Sequence, residues 1–331
     1  MHAATSLSLI PPGTGGVRDY AALLGEPLDA PVRELSEHTD TRDWSGHMLL
    51  LHFSGYGFHK RGVPAWLLDE LQTLRARFRV FGVVFHELYA TGNPPWTSAF
   101  WLSNAQRRIA RELVSQADFW LTNRELSGQW LRDQAPRAPH RVLPVFSNVG
   151  EPRVAEHERD ASIVVFGSAS VRASSYAWND GEIFRFAKRH GLRIYDIGSA
   201  LQDAGLAQKL VDEGVVVRGM LPADQVSQAL LSARHGVLSY PADFVAKSGI
   251  FAAYAAHGMC PVLLWRDYDV HDGLRAGVNY AAGFGALDAL GTGDFLAQAA
   301  RIGRAARQWY EPHRVDAHVD ALKTMSTEAR P

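Results

Sequence analysis

The stretch Tyr240–Val262, YPADFVAKSGIFAAYAAHGMCPV, gathers chemistry at one point. An apolar segment, GVLSY, runs into a Pro-containing loop, and Lys247, Ser248 and Gly249 open an Ala-rich helix. Gly258 stops that helix and a second apolar segment, PVLL, follows. Ser248 reads as the N-cap. A strand–loop–helix unit of this kind aims backbone N–H groups, the positive end of the helix dipole, a hydroxyl and an ammonium at a common point. That equipment suits a phosphate or diphosphate.

Other strand ends carry polar groups as well. In Phe166–Arg172, FGSASVR, the guanidinium of Arg172 adds a planar cationic fork suited to phosphate. Arg172 and Lys247, on two βα loops of one sheet, would grip a diphosphate from two sides. Nearer the start, SLSLI ends in PPGTGGVRDY, where Gly13, Gly15 and Gly16 permit close backbone approach and Arg18 can meet an anion. The spacing is not that of the dinucleotide fingerprint, which argues against a nicotinamide oxidoreductase. HMLLLHF ends in a Gly-rich loop presenting Ser54, Tyr56, His59 and Lys60. RVFGVVF ends in His86-Glu87: His86 can donate to a leaving phosphate or a sugar hydroxyl, and Glu87 can accept a proton. The strand ends at Tyr195–Gly198 and Arg218–Leu221 are candidate walls for a nucleotide base. No second His or Cys stands at zinc-ligand spacing beside His86.

Elements that place such groups must alternate strand and helix. In the first half the short apolar runs SLSLI, HMLLLHF, RVFGVVF, ADFWLT and RVLPVF read as parallel strands covered on both faces. Helical patterns fall near 20–24, 64–77, 98–115 and 124–133. The polar segment 147–161 has no hydrophobic period and reads as a linker. A second series follows: SIVVFG, LRIYDIG, GVVVRG, GVLSY and PVLL, with helices near 179–189, 201–212 and 222–233 besides the Ala-rich one. From 294 to 325 the chain is helical with a break at Glu311-Pro312. The expected architecture is α/β: two doubly wound Rossmann-like domains, 1–148 and 149–331, facing a cleft, with a helical C-terminus in the second.

Bulk properties bound the function. With 331 residues, 47% of them hydrophobic, and a net charge of −1, the chain is an ordinary globular sequence with no electrostatic case for nucleic acid. Its one cysteine, Cys260, reads as a small buried hydrophobe and fits a reducing cytoplasm. No apolar run nears the roughly 20 residues that span a bilayer, and the opening residues read as a strand rather than a signal peptide. Arg107, Arg108 and Arg111, on the helix carrying Trp101, form a face that suits either solvent or the inner face of an anionic membrane holding a lipid-linked acceptor.

Together GTGGVRDY, HELYATGNPPW, FGSASVR and YPADFVAKSGIFAAYAAHGMCPV resemble the GT-B glycosyltransferases, most closely the retaining superfamily that uses nucleotide sugars for glycans and surface polysaccharides. The resemblance implies a nucleotide-diphosphate-sugar donor and a glycan or lipid-linked acceptor, and the preferred reading is a glycosyltransferase without cofactor or metal, in which cations on the diphosphate take a metal's place. The resemblance places Gly15 and Gly16 in the N-terminal glycine loop, His86 after the central strand, Arg172 with Lys247 on the diphosphate, and Ser248-Gly249 beneath it. In that mechanism the acceptor would enter from the first domain, near Gly15-Gly16, Tyr56 and the loop 86–96. The family's two glutamates, with seven residues between them, fall here at Val245 and Ala253. The second normally holds the ribose, so ribose must be held elsewhere, and the stereochemistry stays open. A nucleotide-sugar epimerase or hydrolase, or a non-catalytic nucleotide-sugar-binding protein, are the alternatives.

Overall fold

A computed structural model describes residues 6–90, 96–154, 159–289 and 292–329. The chain divides into two compact units, Met1–Pro144 with Val315–Pro331, and Val145–Arg314. This corrects the expected division at 148/149: the last helix, Val315–Glu328, belongs to the first unit. Its apolar stripe explains why, since His318, Val319, Leu322 and Met325 recur at helical spacing and are buried there. His318 fixes the docking, with Nδ1 2.6 Å from the Tyr20 hydroxyl and Nε2 3.0 Å from the Pro144 carbonyl oxygen.

The first unit holds a parallel sheet of six strands: β1 (Leu7–Ile10), β2 (Val32–Glu34), β3 (Gly46–Ser54), β4 (Phe78–Glu87), β5 (Phe119–Thr122) and β6 (His140–Val142). Their spatial order is β2-β1-β3-β4-β5-β6. The central strands are apolar on both faces because helices cover both, and Leu49, Leu51, Phe53, Phe81, Val83 and Phe85 are buried in one core. Each such side chain contributes about 1.5–3 kcal/mol by leaving water. Strand β2 is half polar and sits at the edge, so it carries no period that sequence could show. The RVLPVF run joins the sheet only through its first residues, and from Val145 onward the backbone belongs to the second unit, where Val145 N–H donates to the Ala246 carbonyl at 2.8 Å.

The second unit repeats the layering with β7 (Asp160–Phe166), β8 (Arg193–Ile197), β9 (Val216–Gly219), β10 (Ala233–Ser239), β11 (Cys260–Leu264) and β12 (Ala281–Ala282). All pairings are parallel, in the order β12-β11-β10-β7-β8-β9. In chain order this is the 3-2-1-4-5-6 arrangement of dinucleotide-binding sheets, whereas the first unit has the flavodoxin-like order. The expected linker is in part built in: Glu151 accepts from Tyr310 Oη and pairs with Arg314, while Ser147 N–H donates to Tyr310 Oη at 2.8 Å. The helical tail breaks as expected, with Thr292–Tyr310, a single tight turn at Glu311–His313, then Val315–Glu328. Cys260 is a free, buried thiol whose pKa burial raises.

Candidate functional site

An open parallel sheet binds ligands at the carboxyl ends of its strands, where the strand order reverses. In the second unit that switch point lies between β7 and β10. The loop after β7 leads at once into a helix, Ala169–Ala177, and the loop after β10 makes a tight turn, Ala242–Lys247, into the helix Gly249–Ala256. The two helix starts touch. Gly167 has φ +122°, and a Cβ there would stand 2.3 Å from Ile250 Cδ1, so only glycine lets the β7 loop close onto the second helix. Two sets of N-terminal amides and two positive dipole ends therefore converge.

Ser248 is the N-cap foreseen: its Oγ accepts from Phe251 N–H at 3.2 Å and is buried. The cap spends the hydroxyl acceptor but fixes the amides of Gly249 and Ile250 outside the helix's own bonding. The first helix, capped by Ser168 without a side-chain bond, keeps its own initial amides available, and Ser168 Oγ lies 3.2 Å from Ser170 Oγ at its exposed start. Lys247 is half-buried at the end of the tight turn, its Nζ 5.6 Å from the Phe244 ring centroid. Lys247, Ser248 and Gly249 are thus brought together with Gly167 and Ser168.

Arg172 does not join them. The helix Ala169–Ala177 replaces the open loop expected there, and its first turn swings Arg172 inward. The side chain is fully buried; Nε donates to the Gly167 carbonyl at 3.0 Å, Nη2 donates to the Ser199 carbonyl, and Nη1 pairs with Asp196. Asp196 also accepts from Tyr176 Oη at 2.9 Å, which raises the tyrosine pKa after burial itself. Arg172 is a strut that ties the ends of β7 and β8 together from below, so its assignment to the diphosphate is corrected. A buried charge of this kind is satisfied by its partners and has no face for a ligand.

Tyr254 shows what stands near the missing glutamates. Ala253 and Val245 are both buried in the core, so neither presents a side chain at the surface. The neighbouring Tyr254 reaches the point where β7 and β10 diverge; its Oη accepts from Phe166 N–H at 3.1 Å and donates to the Val237 carbonyl at 3.1 Å. Ser175 Oγ accepts from Ser239 N–H at 2.9 Å on the same strand end. Sequence gave no warning of these braces, because a tyrosine in an Ala-rich helix and a serine among small residues carry no spacing signal.

Tyr195, Arg218 and Leu221, expected as base-pocket walls, line instead a groove of about 750 Å³ with Asp160, Ser162, Gln225 and Gln228. Asp160 and Ser162 open β7, so this groove lies over the sheet face and away from the β7 and β10 strand ends. The guanidinium of Arg218 stacks on Tyr195 at 4.3 Å. The sequence contains one Asp-x-Asp, Asp267-Tyr268-Asp269; both aspartates are exposed in the loop after β11, and Tyr268 Oη donates to the Leu263 carbonyl at 3.2 Å. Among the described residues no three His, Cys, Asp or Glu gather as a metal site.

The first unit has its own switch point, between β1 and β3. Here too a glycine lets two loops touch: a Cβ on Gly57 would stand 2.7 Å from Pro11 Cγ. Gly15 is the N-cap of helix Gly16–Gly25, with φ +134° and no side-chain cap, and open space surrounds both Gly15 and Gly16. Arg18 is spent on the loop, donating to the Gly13 carbonyl at 2.7 Å and pairing with Glu34. His86 lies beside that helix: its ring is edge-on to Tyr20 at 4.8 Å and stacks on His52 at 5.5 Å, with Nε2 3.3 Å from His52 Nδ1. Burial pushes His52 down to about 3, so the ring that faces His86 stays neutral.

Glu87 points to the opposite face, as strand alternation demands, and accepts from Ser54 Oγ at 3.1 Å. His86 and Glu87 are adjacent in sequence but separate in space. Tyr56 is half-exposed, and its Oη accepts from Gln106 Nε2 at 3.1 Å. Gln106 is fully buried and also binds the Arg61 carbonyl and the Ala90 amide, so it organises the loop. Nothing in the sequence singled it out. Residues 91–95 of the loop assigned to the acceptor lie outside the described residues.

Neither a family model nor a curated protein matches the sequence. Solved structures do match the fold. A protein described as a UDP-N-acetylglucosamine 2-epimerase from Listeria monocytogenes superposes with a TM-score of 0.62 at 12% identity, covering 100% of this chain and 99% of that one. HepE of Anabaena, solved with UDP and glucose, gives 0.61 at 13% identity over 98% and 99%. The pneumococcal O-GlcNAc transferase GtfA, with UDP and GlcNAc, gives 0.56 at 13% identity over 85% of this chain and 56% of that one. The chain spans little more than half the length of that transferase. The fold is therefore GT-B, as the motifs implied.

Proposed function

We propose that the chain is a metal-independent glycosyltransferase that moves a sugar from a nucleotide-diphosphate sugar to a glycan or lipid-linked acceptor in surface polysaccharide or glycoconjugate synthesis. The observation that carries this reading is the contact of Gly167 with Ile250, which joins two helix starts at the switch point of the second unit. The diphosphate would accept from the amides at Ser168–Ser170 and Gly249-Ile250, with Lys247 as the counter-charge. Charge that develops on the leaving phosphate meets donors already fixed in place, which lowers the barrier without reorganisation. On the first unit the acceptor would be met by the Gly15-Gly16 loop, Tyr56, and His86 or Glu87. His86, with one ring nitrogen held by a neutral His52, suits donation to a hydroxyl; Glu87 suits proton acceptance.

Support comes from the fold shared with HepE and GtfA, both solved with UDP. A second reading, nucleotide-sugar epimerisation, is favoured by the full-length superposition on the Listeria protein. One experiment separates them. Titration with UDP and a panel of nucleotide sugars, followed by product analysis with and without acceptor glycans, should show nucleotide release only when acceptor is present. Turnover of donor alone to its epimer would select the second reading. Absence of binding by any nucleoside diphosphate would overturn both.

A further inference from the structure

The helix Ser98–Gln116 has one face that the fold uses and one that it does not. Gln106, Ile109, Ala110, Leu113 and Val114 are buried against the first unit's core. On the opposite side Phe100 and Trp101 fall in the first turns, and Arg107, Arg108 and Arg111 follow at helical spacing, all exposed. Trp101 is 73% exposed, and Trp96, just before the helix, is 85% exposed. Isolated exposed apolar residues are ordinary, but here Phe100 and Trp101 pair edge-on at 5.5 Å at the helix start, with a second bare indole two residues before the helix, and the core accounts for none of them.

Charge separates this patch from the rest of the molecule. The chain carries −1 overall, whereas this helix carries three arginines against the one carboxylate of Glu112. Arg107 lies over the Tyr89 ring at 4.6 Å and Arg111 Nε donates to Gln134 Oε1 at 2.8 Å, so both guanidinium groups are held along the helix. Indoles prefer the head-group level of a bilayer, and guanidinium groups next to them meet lipid phosphates. A protein partner would need a specific acidic counter-surface, whereas an anionic bilayer matches an exposed helix face of indole and guanidinium groups without one.

We propose that this face docks the chain on an anionic lipid bilayer, with Trp96, Phe100 and Trp101 at head-group depth and Arg107, Arg108 and Arg111 on lipid phosphates. No helix among the described residues is long and apolar enough to cross a membrane, so the attachment is peripheral. It stands independently of the donor assignment.

The test is co-sedimentation of the full chain with extruded vesicles of phosphatidylcholine alone and of phosphatidylcholine with phosphatidylglycerol. Binding to the anionic vesicles, reversed by high salt, is expected. The triple substitution Arg107→Gln, Arg108→Gln and Arg111→Gln should lower partitioning on the order of 100-fold. Trp96→Ser with Trp101→Ser should lower it roughly 10-fold. These side chains are exposed, so circular dichroism and Tm should match wild type. Equal binding to neutral vesicles, no vesicle binding, or unchanged binding by both variants overturns the proposal. Self-association in sedimentation equilibrium that the Trp variant abolishes, without vesicle binding, would assign the face to a second copy of the chain instead.

Discussion

Gly167 and Ile250 meet through the volume that a side chain at 167 would fill, with 2.3 Å between a Cβ there and Ile250 Cδ1. The contact joins the loops after β7 and β10, which the sequence had linked only through Arg172 and Lys247, and it makes the proposed anion site a property of the pair.

Gly167→Ala should therefore weaken UDP binding more than tenfold and cost about 1–3 kcal/mol of stability, from both the contact and the positive φ. Calorimetric titration and urea unfolding would measure the two effects. Adding Ile250→Ala opens the contact and should recover part of the affinity, while the backbone strain remains. An unchanged Kd in the single variant would remove this contact from the site.

Arg172 and Lys247 should separate cleanly. Arg172→Met leaves Asp196 buried without its partner and should cost about 3–5 kcal/mol, read as a lowered urea midpoint. Lys247→Ala should leave stability within about 1 kcal/mol yet raise the Kd for UDP about 10–100-fold, as loss of a charge-assisted bond does. The opposite pattern would return Arg172 to the ligand.

That contrast marks what sequence could show. The layered α/β fold was legible because both sheets are built from short apolar runs, such as RVFGVVF and SIVVFG, whose burial on both faces leaves a direct trace. The KSG helix start was legible because Ser248 caps by a local bond. Arg172 misled because the helix Ala169–Ala177 is written in Ser, Ala and Val, which have no strong period, and its inward turn depends on Asp196, 24 residues away. The place of the last helix rests on a contact 298 residues apart, Tyr20 with His318, which no local pattern encodes.

The same contact gives a third prediction. Tyr20→Phe removes the hydroxyl that meets His318 Nδ1, and loss of that buried hydrogen bond should cost about 1–3 kcal/mol. Hydrogen exchange should quicken in helices Gly16–Gly25 and Val315–Glu328 together, since each is held by the other. Exchange that rises in only one of them would mean that the bond does not tie the two.

Stability should also fall in mild acid, for a reason the buried histidines supply. Burial holds His52 and His235 down to about 3, and His257 and His313 down to about 4, against 6.5 for an exposed ring. Between those values the unfolded chain takes up protons that the folded chain refuses. Stability is therefore full above about pH 6.5 and declines as pH drops, by about 1.4 kcal/mol per pH unit for each such histidine. His235 stacks on Phe295 with ring centroids 5.3 Å apart, so phenylalanine fits the aromatic setting. His235→Phe should change stability at pH 7.5 by less than about 1.5 kcal/mol and flatten the decline by one histidine's share. Urea midpoints at pH 7.5, 6 and 5 would check this, and an unaltered slope in the variant would mean that His235 titrates normally in the folded chain.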